Sequence, residues 1–136
     1  MSQPFNIAVL ASTRGTDLQA IIDEIKAGTL DVDLRIVMSN KKDCYALQRA
    51  REQGFTALFI DPQGKTREEY DQELISILKQ HEIELVVLVG YMRVLTPSFI
   101  RKFQNRIINV HPSLIPKYCG PKFYDTNVHE AVIKAG

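Results

Sequence analysis

Five short apolar runs, separated by segments of helical periodicity, constrain the fold of this chain more than any other feature. The runs are nearly continuous in apolar and β-branched residues, which is typical of parallel strands covered on both faces. They comprise residues 6–11, 33–38, 57–60, 85–89 and 107–110. Because strands that alternate with helices form right-handed βαβ units, we predict an α/β fold. Its core would be a doubly wound, mainly parallel open sheet with the first strand central.

Four helices are predicted between these strands, at residues 16–26, 43–53, 66–81 and 97–103. Thr66 and Glu69 have the spacing of a capping box, in which each side chain bonds the backbone N–H of the other residue. Asp43 is the expected N-cap of the second helix. Gly28 and Gly54 stand where glycine commonly ends a helix. The pattern contains no linker or repeat and therefore predicts one domain.

The charge balance excludes several classes of partner. The chain of 136 residues carries 17 basic and 16 acidic residues, so no whole-chain field attracts it to nucleic acid or to a membrane surface. No apolar run approaches the length of a membrane span, and no signal peptide precedes Phe5. We therefore expect a cytoplasmic protein that binds small molecules, with any phosphate recognition confined to a local site. Homodimerisation is left open.

The two cysteines are expected to be free thiols in a reducing cytosol. Cys44 and Cys119 are far apart in sequence and lack the spacing of metal ligands, so we predict neither a metal site nor a disulfide framework. Cys44 lies near the start of a predicted helix and Cys119 in the loop after Pro116. A nucleophilic role for Cys119 is the alternative interpretation.

Polar side chains stand where the fifth strand ends. Asn109 and His111 lie two residues apart, so alternation along the strand points both to one face. Pro112 and Pro116 cannot continue a sheet and stiffen the chain that follows. Imidazole titrates near neutral pH and an amide both donates and accepts hydrogen bonds, so the pair could polarise a carbonyl group and transfer a proton. The alternative is a capped loop with a histidine of purely structural role.

The junction of the first strand and the first helix, residues 12–17, favours binding of an anion. Gly15 lets the backbone approach a ligand closely, the helix N-terminus offers unpaired N–H groups, and Arg14 adds a positive charge. The G-x-G-x-x-G fingerprint of dinucleotide-binding proteins is absent. The second strand also ends in Ser39 and Asn40 rather than in a ribose-binding acid. A plain strand-to-helix turn is the alternative.

Four sequence blocks, taken in order, resemble those of one enzyme family. They are residues 12–21, 66–71, 90–95 and 109–116, and the resemblance extends over essentially the whole chain. The last block resembles the signature of the 10-formyltetrahydrofolate-dependent formyltransferases. The first and third blocks are similar to those of the phosphoribosylglycinamide formyltransferase family. The resemblance implies a Rossmann-like fold and transfer of a formyl group from 10-formyltetrahydrofolate to the amine of glycinamide ribonucleotide in de novo purine biosynthesis.

The resemblance also implies a phosphate site. The phosphate of the ribonucleotide would be bound by Arg14, Gly15, Thr16 and Asp17. The family pattern there is Ser-Gly-x-Gly-Ser-Asn, and this chain departs from it by Thr13 in place of the first glycine and by Asp17 in place of asparagine. The negative charge of Asp17 beside a phosphate is unfavourable unless the side chain turns outward as a helix cap.

Three blocks are implied to contact the folate co-substrate, through Arg67, Met92, Arg93, Val94, Leu95 and Asn109. Without the resemblance, Met92 and Leu95 would be core packing and Arg67 a solvated charge in a first helical turn. In the implied reaction the amine attacks the formyl carbon and a tetrahedral oxyanion forms. Asn109 donates a hydrogen bond to that oxyanion and His111 serves as proton donor, without a covalent intermediate or a metal.

In the family, an aspartate from a later segment orients the catalytic histidine. This sequence ends at Gly136, so we expect residues 1–136 to form an incomplete N-terminal nucleotide-binding domain, truncated after the fifth strand and the following helix. We also expect the isolated chain to be a poor or inactive enzyme. Two alternatives remain, a nucleotide- or folate-binding remnant without turnover and a formyltetrahydrofolate hydrolase. Pro112 disfavours the hydrolase, since such enzymes carry a second histidine there.

Overall fold

The computed structural model describes residues 5–14 and 16–110, with Thr16 described by its backbone alone. Strands and helices alternate throughout these residues, as the sequence predicts. The elements are β1 (Phe5–Ala11), α1 (Thr16–Ala27), β2 (Val32–Ser39), α2 (Tyr45–Glu52), β3 (Ala57–Phe59), α3 (Arg67–Gln80), β4 (Leu85–Val89), α4 (Pro97–Lys102) and β5 (Ile107–Val110).

The strands form one parallel sheet in the order β3-β2-β1-β4-β5. Strands β2 and β3 lie in sequence on one side of β1. Strands β4 and β5 lie in sequence on its other side. The predicted α/β architecture with β1 at the centre is therefore confirmed. In such sheets ligands bind beyond the carboxyl ends of the strands, where the strand order reverses, and that point here lies between β1 and β4.

Both faces of the sheet are buried, which explains why the strand sequences are apolar without alternation. Successive side chains of a strand point to opposite faces. Ala8 and Leu10 of β1 accordingly pack in the core cluster that contains Tyr70 and Phe99 of α3 and α4. Ile7, Val9 and Ala11 pack in the cluster that contains side chains of α1 and α2, including Leu18 and Leu47.

Most predicted helix ends are confirmed. Thr66 and Glu69 form the capping box of α3, and Gly28 and Gly54 adopt positive φ angles of 83° and 89° just beyond α1 and α2. The prediction that Asp43 caps α2 is wrong. The turn that joins Cys44 N–H to the Lys41 carbonyl leaves Cys44 itself extended, so Cys44 is the N-cap and the helix begins one residue later.

Candidate functional site

Three connections meet beyond the carboxyl ends of the central strands. The β1 loop (residues 12–15, described as far as 14) leads to α1, residues 40–44 lead from β2 to α2, and the β4 segment (residues 90–96) leads to α4. The buried hydroxyl of Ser12 links all three. It donates to Asn40 Oδ1 at 2.6 Å and accepts from the Met92 N–H at 2.9 Å. The predicted phosphate loop and part of the predicted folate contact are therefore directly bonded.

A cavity of about 490 Å³ opens between the β1 loop and the start of α2. It is lined by residues of both connections, namely Ser12, Thr13, Arg14, Lys41, Lys42, Asp43, Cys44 and Tyr45. Three of these side chains are cationic and one is anionic. Although the whole chain is nearly neutral, positive charge is therefore concentrated beside the β1 loop.

Side chains of α2 hold two carbonyl groups of the β1 loop. The Cys44 thiol donates to the Thr13 carbonyl at 2.8 Å, and Arg49 Nε donates to the Arg14 carbonyl at 3.0 Å. Arg49 is itself held by Gln19 Oε1 at 3.3 Å and lies over the Tyr45 ring. Because C=O and N–H point in opposite directions across a trans peptide, the Arg14 N–H, which follows the Thr13 carbonyl, faces away from the Cys44 thiol. This N–H is thus a donor directed to the side of the loop opposite α2.

The predicted phosphate residues lie at this junction as far as they are described. Arg14 is exposed and lines the cavity, and Asp17 lies in the first turn of α1. Asp17 is half-buried rather than turned outward, and burial raises the pKa of its carboxyl group. Thr16 begins α1, but its side chain and the whole of Gly15 lie outside the described residues.

The β4 segment presents apolar side chains to solvent. Met92 and Val94 are 67% and 68% exposed, whereas Leu95 is partly buried against the core. The interpretation as core packing therefore holds for Leu95 and is wrong for Met92. Large apolar side chains in an exposed loop beside a polar cavity are what a flat, partly apolar ligand requires.

Arg93 behaves differently from its neighbours because it folds back onto α3. Its guanidinium lies 4.2 Å from the centre of the Tyr70 ring, and its Nε is buried without a hydrogen-bond partner among the described residues. The Tyr70 hydroxyl donates to the Ile60 carbonyl at 2.9 Å, and burial raises the pKa of Tyr70 to about 12. Burial also raises the pKa of Tyr91. Arg93, a predicted folate contact, thus has its guanidinium stacked on Tyr70 and its Nε atom buried.

Asp71 is a buried anchor that the sequence analysis missed. Its carboxylate is 2% exposed, and one oxygen accepts hydrogen bonds from the N–H and the hydroxyl of Thr96, both at 2.8 Å. Thr96 is the N-cap of α4, so Asp71 fixes the end of the β4 segment. A signal was present, because Asp71 has the helical spacing of the buried residues Ile75 and Leu78.

Arg67 and Asn109 are the remaining predicted residues that the structure describes. Arg67 is exposed at the first position of α3, where the Thr66 cap fixes the start of the helix. Asn109 is half-buried in β5 and pairs in register with Leu88 of β4, directly below the β4 segment. His111, the predicted proton donor, lies outside the described residues.

The described part of the chain has neither a membrane-spanning helix nor a cluster of metal ligands. Between residues 5 and 110, apart from Gly15, no helix is long and apolar enough to span a membrane. Within the same residues, no group of three or more His, Cys, Asp or Glu side chains is placed to hold a metal ion. Cys44 is a buried free thiol, and Cys119 lies outside the described residues.

The sequence profile of the formyl transferase family matches residues 5–136. The chain belongs to this family. The phosphoribosylglycinamide formyltransferase of Escherichia coli is 45% identical over 116 residues, which are 85% of this chain and 55% of the relative. The enzyme of the same name from Haemophilus influenzae is 40% identical over 131 residues, or 96% of this chain and 59% of the relative.

Solved structures of similar name share the fold. Glycinamide ribonucleotide transformylase 1 from Symbiobacterium toebii superposes with a TM-score of 0.79 at 39% identity, covering 88% of this chain and 57% of that one. Phosphoribosylglycinamide formyltransferase from Coxiella burnetii gives a TM-score of 0.78 at 38% identity, covering 98% of this chain and 61% of that one. The present chain thus spans between half and two thirds of the length of these relatives.

Proposed function

We propose that this formyl transferase family member acts in the transfer of a formyl group from 10-formyltetrahydrofolate to the amine of glycinamide ribonucleotide, a step of de novo purine biosynthesis. The observation that carries the proposal is the junction at Ser12. It joins a cationic loop with oriented N–H groups to a segment that exposes apolar side chains, at the switch point of the sheet. The names of the relatives compared above support formyl transfer to this substrate rather than hydrolysis of the folate.

The phosphate of the ribonucleotide would occupy the β1 loop. Arg14 supplies charge, and the N–H groups of the loop and of the first turn of α1 supply hydrogen bonds that are strong because the ligand is ionised. The contacts from Cys44 and Arg49 to the loop carbonyls support this assignment. They keep the carbonyl oxygens turned away from the anion, which would otherwise be repelled by them.

The folate would lie along the β4 segment. Met92 and Val94 offer apolar surface for a flat ring system, and they are held in an exposed position by Thr96 and Leu95. Covering such side chains with a ligand removes apolar area from water, which favours binding. Arg67, which is exposed at the start of α3, would meet the negatively charged part of the folate.

The reaction itself would take place near the end of β5. The substrate amine attacks the formyl carbon, the bond from that carbon to the folate nitrogen breaks, and the proton lost by the amine replaces the formyl group on that nitrogen. Asn109 would stabilise the developing oxyanion by a hydrogen bond, and His111 would transfer the proton. Both roles need fixed geometry, and the register of β5 beside β4 supports it for Asn109.

A comparison of two asparagine variants tests the proposal. In a form of the chain that shows measurable formyl transfer, Asn109→Ala should lower the rate by a factor on the order of 10²–10³, because an oxyanion donor is lost. Asn6→Ala is the matched control. Its side chain donates to the Glu82 carbonyl at the opposite edge of the sheet, at 3.0 Å. It should leave the rate within about threefold of the wild type, since the site is distant.

Calorimetric titration of the same chains with glycinamide ribonucleotide and with tetrahydrofolate completes the test. Wild type and both variants should bind glycinamide ribonucleotide with similar affinity, and Asn109→Ala should lose far less tetrahydrofolate affinity than rate, because the larger effect of Asn109 is in the transition state. Failure of the wild-type chain to bind either ligand would refute the proposed function. Equal transfer rates in wild type and Asn109→Ala would refute the role of Asn109.

A further inference from the structure

Ser12 belongs to the first sequence block, but the proposed ligand contacts and the proposed reaction give its side chain no role of its own. Its side chain is only 7% exposed, so it is poorly placed to touch a substrate directly. Its hydroxyl nevertheless contacts both connections that the proposed function assigns to ligands. The β1 loop begins at Ser12 itself, and the β4 segment is reached through the N–H of Met92.

The polarity of these two hydrogen bonds is fixed by chemistry. A serine hydroxyl has one proton to donate and lone pairs to accept with. Asn40 Oδ1, at 2.6 Å, takes the proton, and the Met92 N–H, at 2.9 Å, is bound by a lone pair. Such chains of hydrogen bonds strengthen one another when they are shielded from water. The Ser12 hydroxyl therefore ties the start of the β1 loop to the Met92 backbone.

A second contact joins the same two connections one residue further on. Gly90 has a φ angle of +61°, and a Cβ atom at this position would lie 2.7 Å from Thr13 Oγ1 and 3.1 Å from Thr13 Cγ2. The Thr13 side chain therefore fills the space above Gly90. The β1 loop and the β4 segment thus contact each other at Ser12 and Thr13 on one side and at Gly90 and Met92 on the other.

We propose that Ser12 is a positioning residue that couples the two ligand sites, so that an anion in the β1 loop strengthens binding of the folate along the β4 segment, and the reverse. The proposal rests on the proposed function, because it assumes that these are the two sites. The physical basis is that either ligand orders the backbone that Ser12 joins. The second ligand then loses less free energy to ordering that backbone when it binds. Thermodynamic linkage requires the effect to be equal in both directions.

Inorganic phosphate is the probe for the β1 loop, because it is too small to reach a folate along the β4 segment and cannot produce coupling by direct contact. Tetrahydrofolate is titrated calorimetrically into the 136-residue chain with and without saturating phosphate, at matched ionic strength. Phosphate should tighten tetrahydrofolate binding by a factor on the order of fivefold in the wild type, the equivalent of one hydrogen bond. In Ser12→Ala the ratio of the two affinities should fall to about one.

Ser39→Ala is the matched control. Ser39 is 1% exposed at the end of the neighbouring strand, and its hydroxyl accepts from the Lys41 N–H at 3.0 Å, within its own connection. The substitution has the same size and burial as Ser12→Ala but leaves Met92 untouched, so the coupling should persist. Ser12→Cys replaces Ser12→Ala in the experiment if circular dichroism shows that Ser12→Ala is unfolded. The thiol fills the site but forms weaker hydrogen bonds than the hydroxyl. Its coupling should be reduced.

The outcomes separate this proposal from the function on which it rests. If phosphate and tetrahydrofolate both bind but neither changes the affinity of the other, the coupling is refuted and the proposed function stands. If coupling persists unchanged in Ser12→Ala or Ser12→Cys, Ser12 is not its route and the proposal is likewise refuted. If neither ligand binds the wild-type chain, both proposals fail together.

Discussion

The β1 loop and the β4 segment lie at the same edge of the sheet, but the protein holds them in opposite ways. The β1 loop is held from outside, by the Cys44 and Arg49 side chains that bind its carbonyl oxygens. The β4 segment is held from inside, because Arg93 stacks on Tyr70 and Asp71 binds Thr96 within the core. The first connection therefore has its carbonyl oxygens bound by side chains, and the second keeps the apolar side chains of Met92 and Val94 exposed.

The difference shows how one sheet edge can serve two unlike ligands. An anion is recognised by backbone donors, which must be kept pointing outward, and fixing the carbonyl oxygens achieves this. A flat apolar ligand is recognised by side chains, so the backbone beneath must be fixed by other means. Hydrogen bonds to the N–H groups of Met92 and Thr96 fix this backbone without covering the side chains of Met92 or Val94. Substitutions in the two connections should consequently have different effects on stability and binding.

The largest effect is expected where the β4 segment meets the core. Asp71→Ala should lower the free energy of unfolding by about 2–4 kcal/mol, because two hydrogen bonds to a buried carboxylate are lost and the Thr96 donors remain unpaired. Urea unfolding monitored by circular dichroism gives this value. Asp61→Ala is the control, since Asp61 is exposed and accepts one local backbone hydrogen bond. A similar loss of stability in both variants would show that burial of Asp71 is not the cause.

The next prediction concerns the β1 loop. Arg49→Ala should weaken binding of glycinamide ribonucleotide by about tenfold, because the Arg14 carbonyl loses its donor and can turn toward the anion. Binding of tetrahydrofolate should change much less. Calorimetric titration with each ligand measures both effects. Arg51→Ala, on the same helix but with a 3.4 Å contact to the Ala57 carbonyl, should preserve both affinities.

These anchors mark the limit of what the sequence could predict. The parallel sheet could be predicted from local apolar runs, and the β1 loop could be predicted from the glycine and the charge around Arg14. Both signals lie within a few consecutive residues. The contacts of Arg49 with the β1 loop and of Asp71 with Thr96 join residues 35 and 25 positions apart. Sequence periodicity carries no information on such pairs. The interpretation of Met92 as core packing is wrong because it relied on the general tendency of apolar residues after a strand to be buried.

A smaller effect should come from the exposed face of the β4 segment. Met92→Ser should leave the free energy of unfolding unchanged within about 0.5 kcal/mol, because the side chain is already largely in solvent. It should weaken tetrahydrofolate binding about fivefold, since apolar contact with the ligand is lost. Urea unfolding and calorimetry test the two statements separately. Leu95→Ser, whose side chain packs on the core, should instead lower stability. A lower free energy of unfolding in Met92→Ser would show that Met92 contributes to the core. The β4 segment would then not present this side chain to a ligand.

The smallest effect concerns Asp17, whose carboxylate lies at the junction proposed to bind phosphate. Asp17→Asn should tighten binding of the ribonucleotide about threefold at neutral pH, because a negative charge beside the anion is removed. Burial raises the pKa of Asp17, so folding disfavours its ionised form. That cost is fully present above the raised pKa and vanishes as the pH falls below the ordinary pKa of aspartate.

The advantage of Asp17→Asn over the wild type should therefore disappear with acidification, because a protonated Asp17 is as neutral as asparagine. Titration of the ligand cancels in the ratio of the two affinities at each pH, so the ratio reports on Asp17 alone. Asp23→Asn, exposed on the same helix and bonded to Gln19, should show a ratio near one throughout. A ratio for Asp17→Asn that stays constant with pH would place the phosphate away from the start of α1. The β1 loop and the β4 segment would then still differ in how they are anchored, but the contrast between their ligands would lose its support.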